Sequence, residues 1–225
     1  MLEVDRQVCF RLADPVPAAS PPQSLRLADA HAEALAELLQ IFACGEESAA
    51  IAFAGLGGSS IQEAARRGLM HIAEEELIHE GLLRGLRGVL PAPPRDRELR
   101  RVLAQFYHGI ARADIGLHLA AIASLDSAVC VILSALLQPG GAVEQDLAVA
   151  AIFRRIHRDE AKHVRVSRQI AVESVRKNVI GAVAESTRVG LVALLARRGA
   201  AFERLNIDAE RLFARLGRVP DGLFR

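Results

Sequence analysis

Clusters of proline and glycine divide this 225-residue sequence into a few long segments, and that division constrains the fold more than any other feature. The breaks lie at residues 15–22, 55–59, 91–94 and 138–141. Between them, apolar residues recur every three or four positions, which is the period of an amphipathic α-helix. The sequence therefore predicts an all-α protein. Its helices are expected at about 24–55, 60–90, 96–108, 114–137, 143–176, 178–198 and 208–216.

The length of the chain suits one domain with a full apolar core. We expect residues 1–23 to form an extended arm, because four prolines in this stretch disfavour a helix. Residues 24–199 are expected to form a four-helix bundle with additional C-terminal helices, and residues 200–225 a final helix and tail. The short helix over 96–108 would carry the chain about 20 Å along the bundle, as in bundles with a long crossover.

Charge and cysteine content argue against several classes of function. The 28 basic and 27 acidic residues leave a formal net charge of +1, so no overall field favours nucleic acid or an anionic membrane. The cysteines, Cys9, Cys44 and Cys130, are scattered, which argues against a disulfide framework or an iron–sulfur site and favours a reducing cytoplasm. Glu185 and Arg188 interrupt the most apolar late stretch, so a membrane span is not expected.

Two copies of a Glu-x-x-His motif are the strongest chemical signal in the sequence. Glu76 and His79 lie on one predicted helix, and Glu160 and His163 lie on another. Residues three apart share a helix face, so each pair can offer one carboxylate oxygen and one imidazole nitrogen to the same ion. Both glutamates share their face with apolar residues, and a carboxylate buried there without a cation would be costly or would shift its pKa. We therefore predict that these four residues bind metal.

One carboxylate is expected from each of the two remaining core helices. Asp126 is the only acid in the apolar run 115–137. On the first helix the choice lies between Glu46, which has an apolar face, and Glu47, which is expected to be solvated, so Glu46 is preferred. The predicted metal ligands are thus Glu46, Glu76, His79, Asp126, Glu160 and His163.

With this set, the sequence resembles the ferritin-like di-metal carboxylate superfamily, whose core helices carry Glu, Glu-x-x-His, Glu and Glu-x-x-His in order. The resemblance covers about residues 24–176 and implies a ferritin-like four-helix bundle. Ala49 and Phe53 look like the alanine and aromatic residue that often follow the first-helix glutamate in rubrerythrin and bacterioferritin. Asp126 departs from the pattern, because most relatives have Glu there, and whether it would bridge both metals or bind one is open.

The resemblance implies a non-haem di-iron oxygenase or oxidase that activates O2 to oxidise a small organic substrate, such as an amine or an amino-acid-derived molecule. The cofactor would be two Fe ions, with a Mn/Fe pair as the alternative, and an external donor would supply electrons. We expect a cytoplasmic protein, monomeric or homodimeric, without a membrane or nucleic-acid partner. The alternative is a ferroxidase or iron-storage protein. The arm and the additional C-terminal helices favour the oxygenase, because they could wall a substrate pocket.

Other residues bear on the choice among relatives. A ribonucleotide reductase small subunit is disfavoured, because the chain has no Trp and we expect its single Tyr, Tyr107, to lie far from the site. Rubrerythrin is disfavoured because no paired cysteines supply a rubredoxin domain. His157 lies three residues before Glu160, where some relatives that oxidise amines carry an additional histidine ligand, and a supporting or surface role is the alternative. Cys130 is expected to be a small buried residue.

Overall fold

The computed structural model describes residues 9–12, 16–22, 24–59 and 62–225. Every regular element in these ranges is helical, which confirms the all-α prediction for the described chain. The helices are α1 (Asp29–Ser59), α2 (Glu63–Arg87), α3 (Arg97–Ile110), α4 (Ile115–Leu136), α5 (Ala142–Gln145), α6 (Leu147–Ser174), α7 (Lys177–Leu195), α8 (Gly199–Arg204) and α9 (Ala209–Leu216), with a 3-10 turn at Ala196–Arg198.

Four long helices form the centre of the fold. Helix α1 packs along α2, α4 packs along α6, and α2 contacts α6, which joins the two pairs. Helix α7 packs against α4, and α8 packs against α1. Two apolar cores result, one containing Leu35, Leu133 and Phe153 and the other containing Leu69 and Leu119. Between these cores the buried side chains of the four helices are polar, and this layer holds the candidate site.

Aspartate caps set the start of α3, which connects the two helix pairs, and of α4, which begins the second pair. Asp96 Oδ1 accepts the backbone N–H of Leu99 at 2.8 Å at the start of α3. Asp114 Oδ1 accepts the N–H of Leu117 at 2.8 Å at the start of α4. Each cap satisfies one of the N–H groups that the first helical turn leaves unpaired. As predicted, the chain after Asp96 is therefore divided into a linking helix, α3, and a third core helix, α4.

Helix α1 differs from its predicted bounds at both ends. It begins at Asp29 rather than near residue 24, and it continues through three glycines to Ser59, although glycine in this stretch predicts a helix stop. A Cβ on Gly57 would lie 2.9 Å from Met70 Sδ of α2, so the missing side chain permits close packing of the two helices. Residue 60, the predicted start of the next helix, lies outside the described residues, and α2 begins at Glu63.

The arm carries a disulfide, which corrects the expectation from the cysteine pattern. Cys9 pairs with Cys44 of α1, with their Cα atoms 5.3 Å apart, and Cys130 is the free cysteine. Further along the arm, the N–H of Ala19 donates to the carbonyl of Gly81 in α2 at 3.0 Å. An odd, scattered cysteine count does not exclude one bridge when an arm folds back on a helix. Cysteine usage therefore no longer supports a reducing compartment.

By length and composition alone, three helical stretches could cross a membrane. They are α1, α4 and Lys177–Arg204, which includes α7. In their most apolar windows, 56%, 61% and 39% of the residues are buried inside the fold, so α1 and α4 direct more than half of these residues to the interior. Arg188, which was expected to prevent a span, is itself buried. The absence of a membrane span therefore stays a prediction.

Candidate metal centre

All six predicted ligand side chains lie in the polar layer between the two apolar cores. Each is at most 7% exposed, so water cannot replace the contacts that they make with one another. They come from four helices: Glu46 from α1, Glu76 and His79 from α2, Asp126 from α4, and Glu160 and His163 from α6.

The two motif histidines point their Nδ1 atoms into a shared set of carboxylates. His79 Nδ1 lies 3.3 Å from Glu46 Oε2, 3.3 Å from Glu76 Oε2 and 3.7 Å from Glu160 Oε1. His163 Nδ1 lies 3.0 Å from Glu76 Oε1 and 3.8 Å from Glu160 Oε2. Glu76 and Glu160 thus direct one oxygen toward each imidazole. They lie between two half-sites, one at each histidine.

The two half-sites differ in the carboxylate that they do not share, which we call the terminal carboxylate. Glu46 belongs to the His79 half, and ligand atoms of Glu46, Glu76, His79 and Glu160 all lie within 4.8 Å of one another. Asp126 forms no ion pair with either histidine in the described structure, but it lines one cavity with the three glutamates. Of the two histidines, His163 has the stronger electrostatic effect on Asp126. Because Glu46 lies at His79, we assign Asp126 to the His163 half as a hypothesis.

Several buried atoms of the cluster make no hydrogen bond within the described residues. These are Glu76 Oε2, His79 Nδ1, Asp126 Oδ2 and His163 Nδ1. Leaving a polar atom buried without a partner costs about 1–3 kcal/mol, so four such atoms in one place call for a common partner. A metal cation accepts lone pairs from carboxylate oxygens and from neutral imidazole nitrogens. The residues present therefore fit a metal site.

Ionisation of all four carboxyl groups of the cluster would place more negative charge there than the surrounding residues compensate. Burial, and then the charge of Glu76, raise the pKa of Glu46 to about 8 and the pKa values of Asp126 and Glu160 well above their usual range. Burial also opposes ionisation of Glu76, but its contacts with the two histidines outweigh this and lower its pKa. Two divalent cations would carry four positive charges, which equals the charge of four ionised carboxylates.

The pKa values of the two histidines rise because of the same carboxylates. Burial alone would lower the pKa of His79, but the neighbouring Glu46 and Glu76 carboxylates raise it to about 11. In the same way, the pKa of His163 rises to about 9, because Glu76 and Asp126 outweigh burial. Both imidazoles therefore lie in a strongly negative field, which attracts cations of any kind.

The chain matches no protein-family model, no curated protein and no solved structure. What the chain itself establishes is a helical fold with a buried group of carboxylates and imidazoles that could hold a metal ion. The ferritin-like resemblance therefore depends on the motifs and on the geometry of this site alone.

Glu75 and Asp159 support the cluster, and the sequence analysis missed both. Asp159 Oδ2 of α6 lies 3.3 Å from Nε2 of His79, and Glu75 Oε2 of α2 lies 3.0 Å from Nε2 of His163. Each acid thus holds the imidazole of the opposite helix, which fixes the ring with Nδ1 turned inward. The available signal was an acidic residue directly before each motif glutamate, repeated in both motifs.

Lys162 connects these two supporting acids. Its Nζ lies 2.6 Å from Asp159 Oδ1 and 3.6 Å from Glu75 Oε1. The lysine contact helps to lower the pKa of Asp159 against the effect of burial, so this carboxylate stays ionised beside His79. The same lysine thereby reaches the supporting residues of both half-sites.

Glu47 is not solvated, which corrects the reason given for preferring Glu46. Its side chain is fully buried, and Oε2 accepts the N–H groups of Cys9 at 2.7 Å and Phe10 at 2.9 Å. Two amide donors from the arm therefore occupy this carboxylate oxygen, next to the Cys9–Cys44 disulfide. The preference for Glu46 agrees with the geometry, because Glu46 and not Glu47 lies at His79.

Tyr107 lies beside the cluster, so the expectation that it is far from the site is wrong. It lines the same cavity as Glu46, Asp126 and Glu160. Desolvation, and then the charges of these three carboxylates, raise the pKa of its hydroxyl. A Cβ on Gly45 would lie 2.9 Å from the Tyr107 Oη, so only glycine leaves room for the hydroxyl here. No sequence pattern indicates this contact, because the packing of α3 against α1 arises only in the tertiary fold.

His157 and Cys130 lie at the edge of the site. His157 Nε2 is 3.2 Å from Ser134 Oγ in an exposed contact and reaches none of the six predicted ligands. An additional histidine ligand at this position is therefore not supported. Cys130 is half-buried rather than buried, and burial together with the charge of Asp126 raises the pKa of its thiol to about 12. It stays a neutral thiol near Asp126.

Proposed function

We propose that this chain is a ferritin-like di-metal carboxylate protein that oxidises a small organic molecule with O2. The observation that carries the proposal is the set of four buried ligand atoms without a hydrogen bond that two Glu-x-x-His helices and α4 bring together. The pairing of α1 with α2 and of α4 with α6, connected through α3, supports a bundle of this type.

In this proposal each half-site holds one metal ion. Glu46 and His79 would bind one ion, Asp126 and His163 would bind the other, and Glu76 and Glu160 would bridge them. Oxygen-rich donor sets with one imidazole per metal suit iron or manganese, so two Fe ions or a Mn/Fe pair are proposed. When bound, such a pair supplies the electrons and the open positions needed to activate O2.

The cavity next to the carboxylates supports an organic substrate. Its wall combines apolar residues of the central helices, such as Phe42, Leu125 and Val129, with residues from helices outside the central four. Tyr107 comes from α3, and Leu191 and Leu195 come from α7. These side chains exclude water from the carboxylate face, and the cavity of about 50 Å³ would have to widen to admit an organic molecule. The additional helices thus line the cavity, which favours an oxygenase over a ferroxidase.

An amine or amino-acid-derived substrate is proposed from the resemblance alone. An external electron donor, a cytoplasmic location and a monomer or homodimer stay predictions. The Tyr107 hydroxyl could exchange a hydrogen bond with a molecule bound in the cavity that this residue lines together with Glu46 and Asp126.

Metal content tests the first part of the proposal. After anaerobic loading with Fe²⁺, we expect about two metal ions per wild-type chain by elemental analysis. The His79→Ala, His163→Ala double variant should lose both, and the matched His31→Ala variant, which changes a histidine outside the cluster, should keep them. Wild-type protein without metal, or a double variant with unchanged content, would remove the basis of the proposal.

Iron uptake separates the oxygenase from the storage protein. An oxygenase loaded with excess Fe²⁺ in air should stop near two irons and remain a monomer or small oligomer. Its O2 consumption should then accelerate with a suitable member of an amine panel. A hollow assembly that accumulates a ferric mineral would instead establish the ferroxidase alternative. Size-exclusion chromatography with iron analysis decides between them.

A further inference from the structure

Arg188 of α7 is the largest buried charged side chain outside the metal centre. It is 1% exposed, which means that solvent does not screen its charge. Its Nε donates to Ser124 Oγ at 3.1 Å, Nη1 donates to the carbonyl of Leu216 at 3.1 Å, and Nη2 donates to Ser127 Oγ. All three acceptors are neutral. Among the described residues, no carboxylate forms an ion pair with this guanidinium, and the carboxylate that interacts with its charge at longer range is the buried Asp126.

A cleft between α7 and the C-terminal segment leads to this buried arginine. It is lined by Arg188, Arg211, Arg215 and Arg218, together with Val131, Ala214 and Pro220. Arg211 and Arg215 lie four residues apart on α9 and share one face, and Arg218 follows just after the helix ends. These three arginines are exposed, while Arg188 is buried at the inner side of the cleft.

The three exposed arginines of the cleft have no acidic partner in the described chain, unlike many exposed arginines elsewhere. Arg66 pairs with Glu63 and Arg101 with Glu98, each at 2.7 Å. Arg211, Arg215 and Arg218 form no such pair. The nearby acid Asp208 uses its Oδ1 to cap α9, accepting the N–H of Arg211 at 2.8 Å.

Four positive charges around one opening repel one another unless an anion enters. A guanidinium group presents N–H donors in a planar fork that matches phosphate and carboxylate oxygens. The buried Arg188 strengthens the attraction, because its charge acts through the protein interior rather than through water. The cleft has a volume of about 480 Å³, which suits a compact ligand rather than an extended polymer.

We propose that this cleft binds a small, multiply charged oxyanion, such as the phosphate groups of a metabolite. The cleft shares no lining residue with the cavity of the metal centre, although Arg188 interacts electrostatically with Asp126, and pyrophosphate binding can be tested without metal or oxidase activity. Arg188 binds the inner part of the ligand's charge, and the arginines of α9 and the segment after it close around the outer part.

The test uses pyrophosphate as the probe and the full-length protein without added metal. Isothermal titration calorimetry should show saturable binding of one pyrophosphate per chain. The Arg211→Gln, Arg215→Gln variant should weaken binding at least about tenfold, because it removes two charge-assisted contacts. Both side chains are exposed, so this variant should keep the helical circular dichroism spectrum of the wild type.

A matched control removes the same charge elsewhere. Arg155 and Arg158 are exposed on α6, outside the cleft, and the Arg155→Gln, Arg158→Gln variant should bind pyrophosphate as the wild type does. Equal weakening in both double variants, or no saturable binding by the wild type, would overturn the proposal. Tighter binding of a single-stranded oligonucleotide or of anionic vesicles than of pyrophosphate, lost in the cleft variant, would overturn it in favour of a larger partner.

Discussion

The two half-sites of the candidate metal centre are built from the same motif, but they are not equivalent. At His79, three carboxylates lie within 3.7 Å of the inward nitrogen, including the terminal Glu46. At His163, the two shared carboxylates lie at 3.0 and 3.8 Å, and the terminal residue is Asp126, which is one methylene shorter. The repeated motif thus accounts for the shared carboxylates and the imidazoles, while the terminal residue sets the difference.

This difference leads us to expect unequal metal affinity. A site with four donors already close together loses less conformational freedom on metal binding than a site whose fourth donor lies farther from the other three. The His79 half should therefore take up the first ion and the His163 half the second, more weakly.

Changing a shared carboxylate should abolish both half-sites. Glu76→Gln removes a charge that contacts both imidazoles, so metal content should fall from about two ions per chain to nearly none. Elemental analysis after Fe²⁺ loading measures the loss. Glu74→Gln, an exposed change on the same helix, provides the control and should retain the wild-type content. Retention of one full ion by Glu76→Gln would show that Glu76 serves a single half-site.

Changing a terminal carboxylate should remove one half-site and leave the other. In a titration with Co²⁺, followed by its visible absorption, Asp126→Ala should keep the tight site and lose the weak one. Glu46→Ala should lose the tight site, and Asp126→Glu should keep about two ions. If Asp126→Ala instead retains both classes of site, Asp126 is not a ligand.

Glu47 is the neighbouring control for this experiment. Glu47→Ala should keep both metal sites, because its carboxylate binds the arm and not the cluster. It should nevertheless lower the free energy of unfolding by about 1–3 kcal/mol, since two amide donors of the arm lose their acceptor. Urea denaturation of the metal-free protein measures this. A loss of metal with unchanged stability would exchange the roles of Glu46 and Glu47.

The sequence predicted the parts of this site that depend on local spacing. An i, i+3 pair shares a helix face wherever the helix lies, and a lone acid in an apolar run such as Asp126 must face something polar. Glu47, Tyr107 and the Cys9–Cys44 bridge were misjudged, because their environments depend on where the arm and α3 pack. Those contacts join residues far apart in sequence, and no periodic pattern encodes them.

The supporting acids should affect the half-site of the opposite helix. Asp159→Asn should weaken the tight site, because it changes the partner of His79 Nε2, and Glu75→Gln should weaken the other site through His163. Changes of this kind typically reduce metal affinity about 10–100-fold. Competition with a coloured chelator measures each affinity. If each variant instead weakens the site whose histidine lies on its own helix, the crossed arrangement of imidazoles and acids is wrong.

The smallest expected effect concerns Tyr107, which borders both halves on the carboxylate side. Tyr107→Phe should leave metal content unchanged, because the hydroxyl is not a ligand.

The Tyr107→Phe substitution also removes the atom that a Cβ on Gly45 would meet at 2.9 Å, and the next contact of that Cβ, with Cζ of Tyr107, is at 3.7 Å. Replacing a helical glycine by alanine otherwise stabilises by up to about 1 kcal/mol. Gly45→Ala should therefore lower the free energy of unfolding in the wild type but raise it in the Tyr107→Phe background, and urea denaturation of the four proteins gives the coupling. Equal effects of Gly45→Ala in the two backgrounds would place the Tyr107 hydroxyl away from Gly45, and thus away from the neighbouring Glu46 and the cavity that joins both halves.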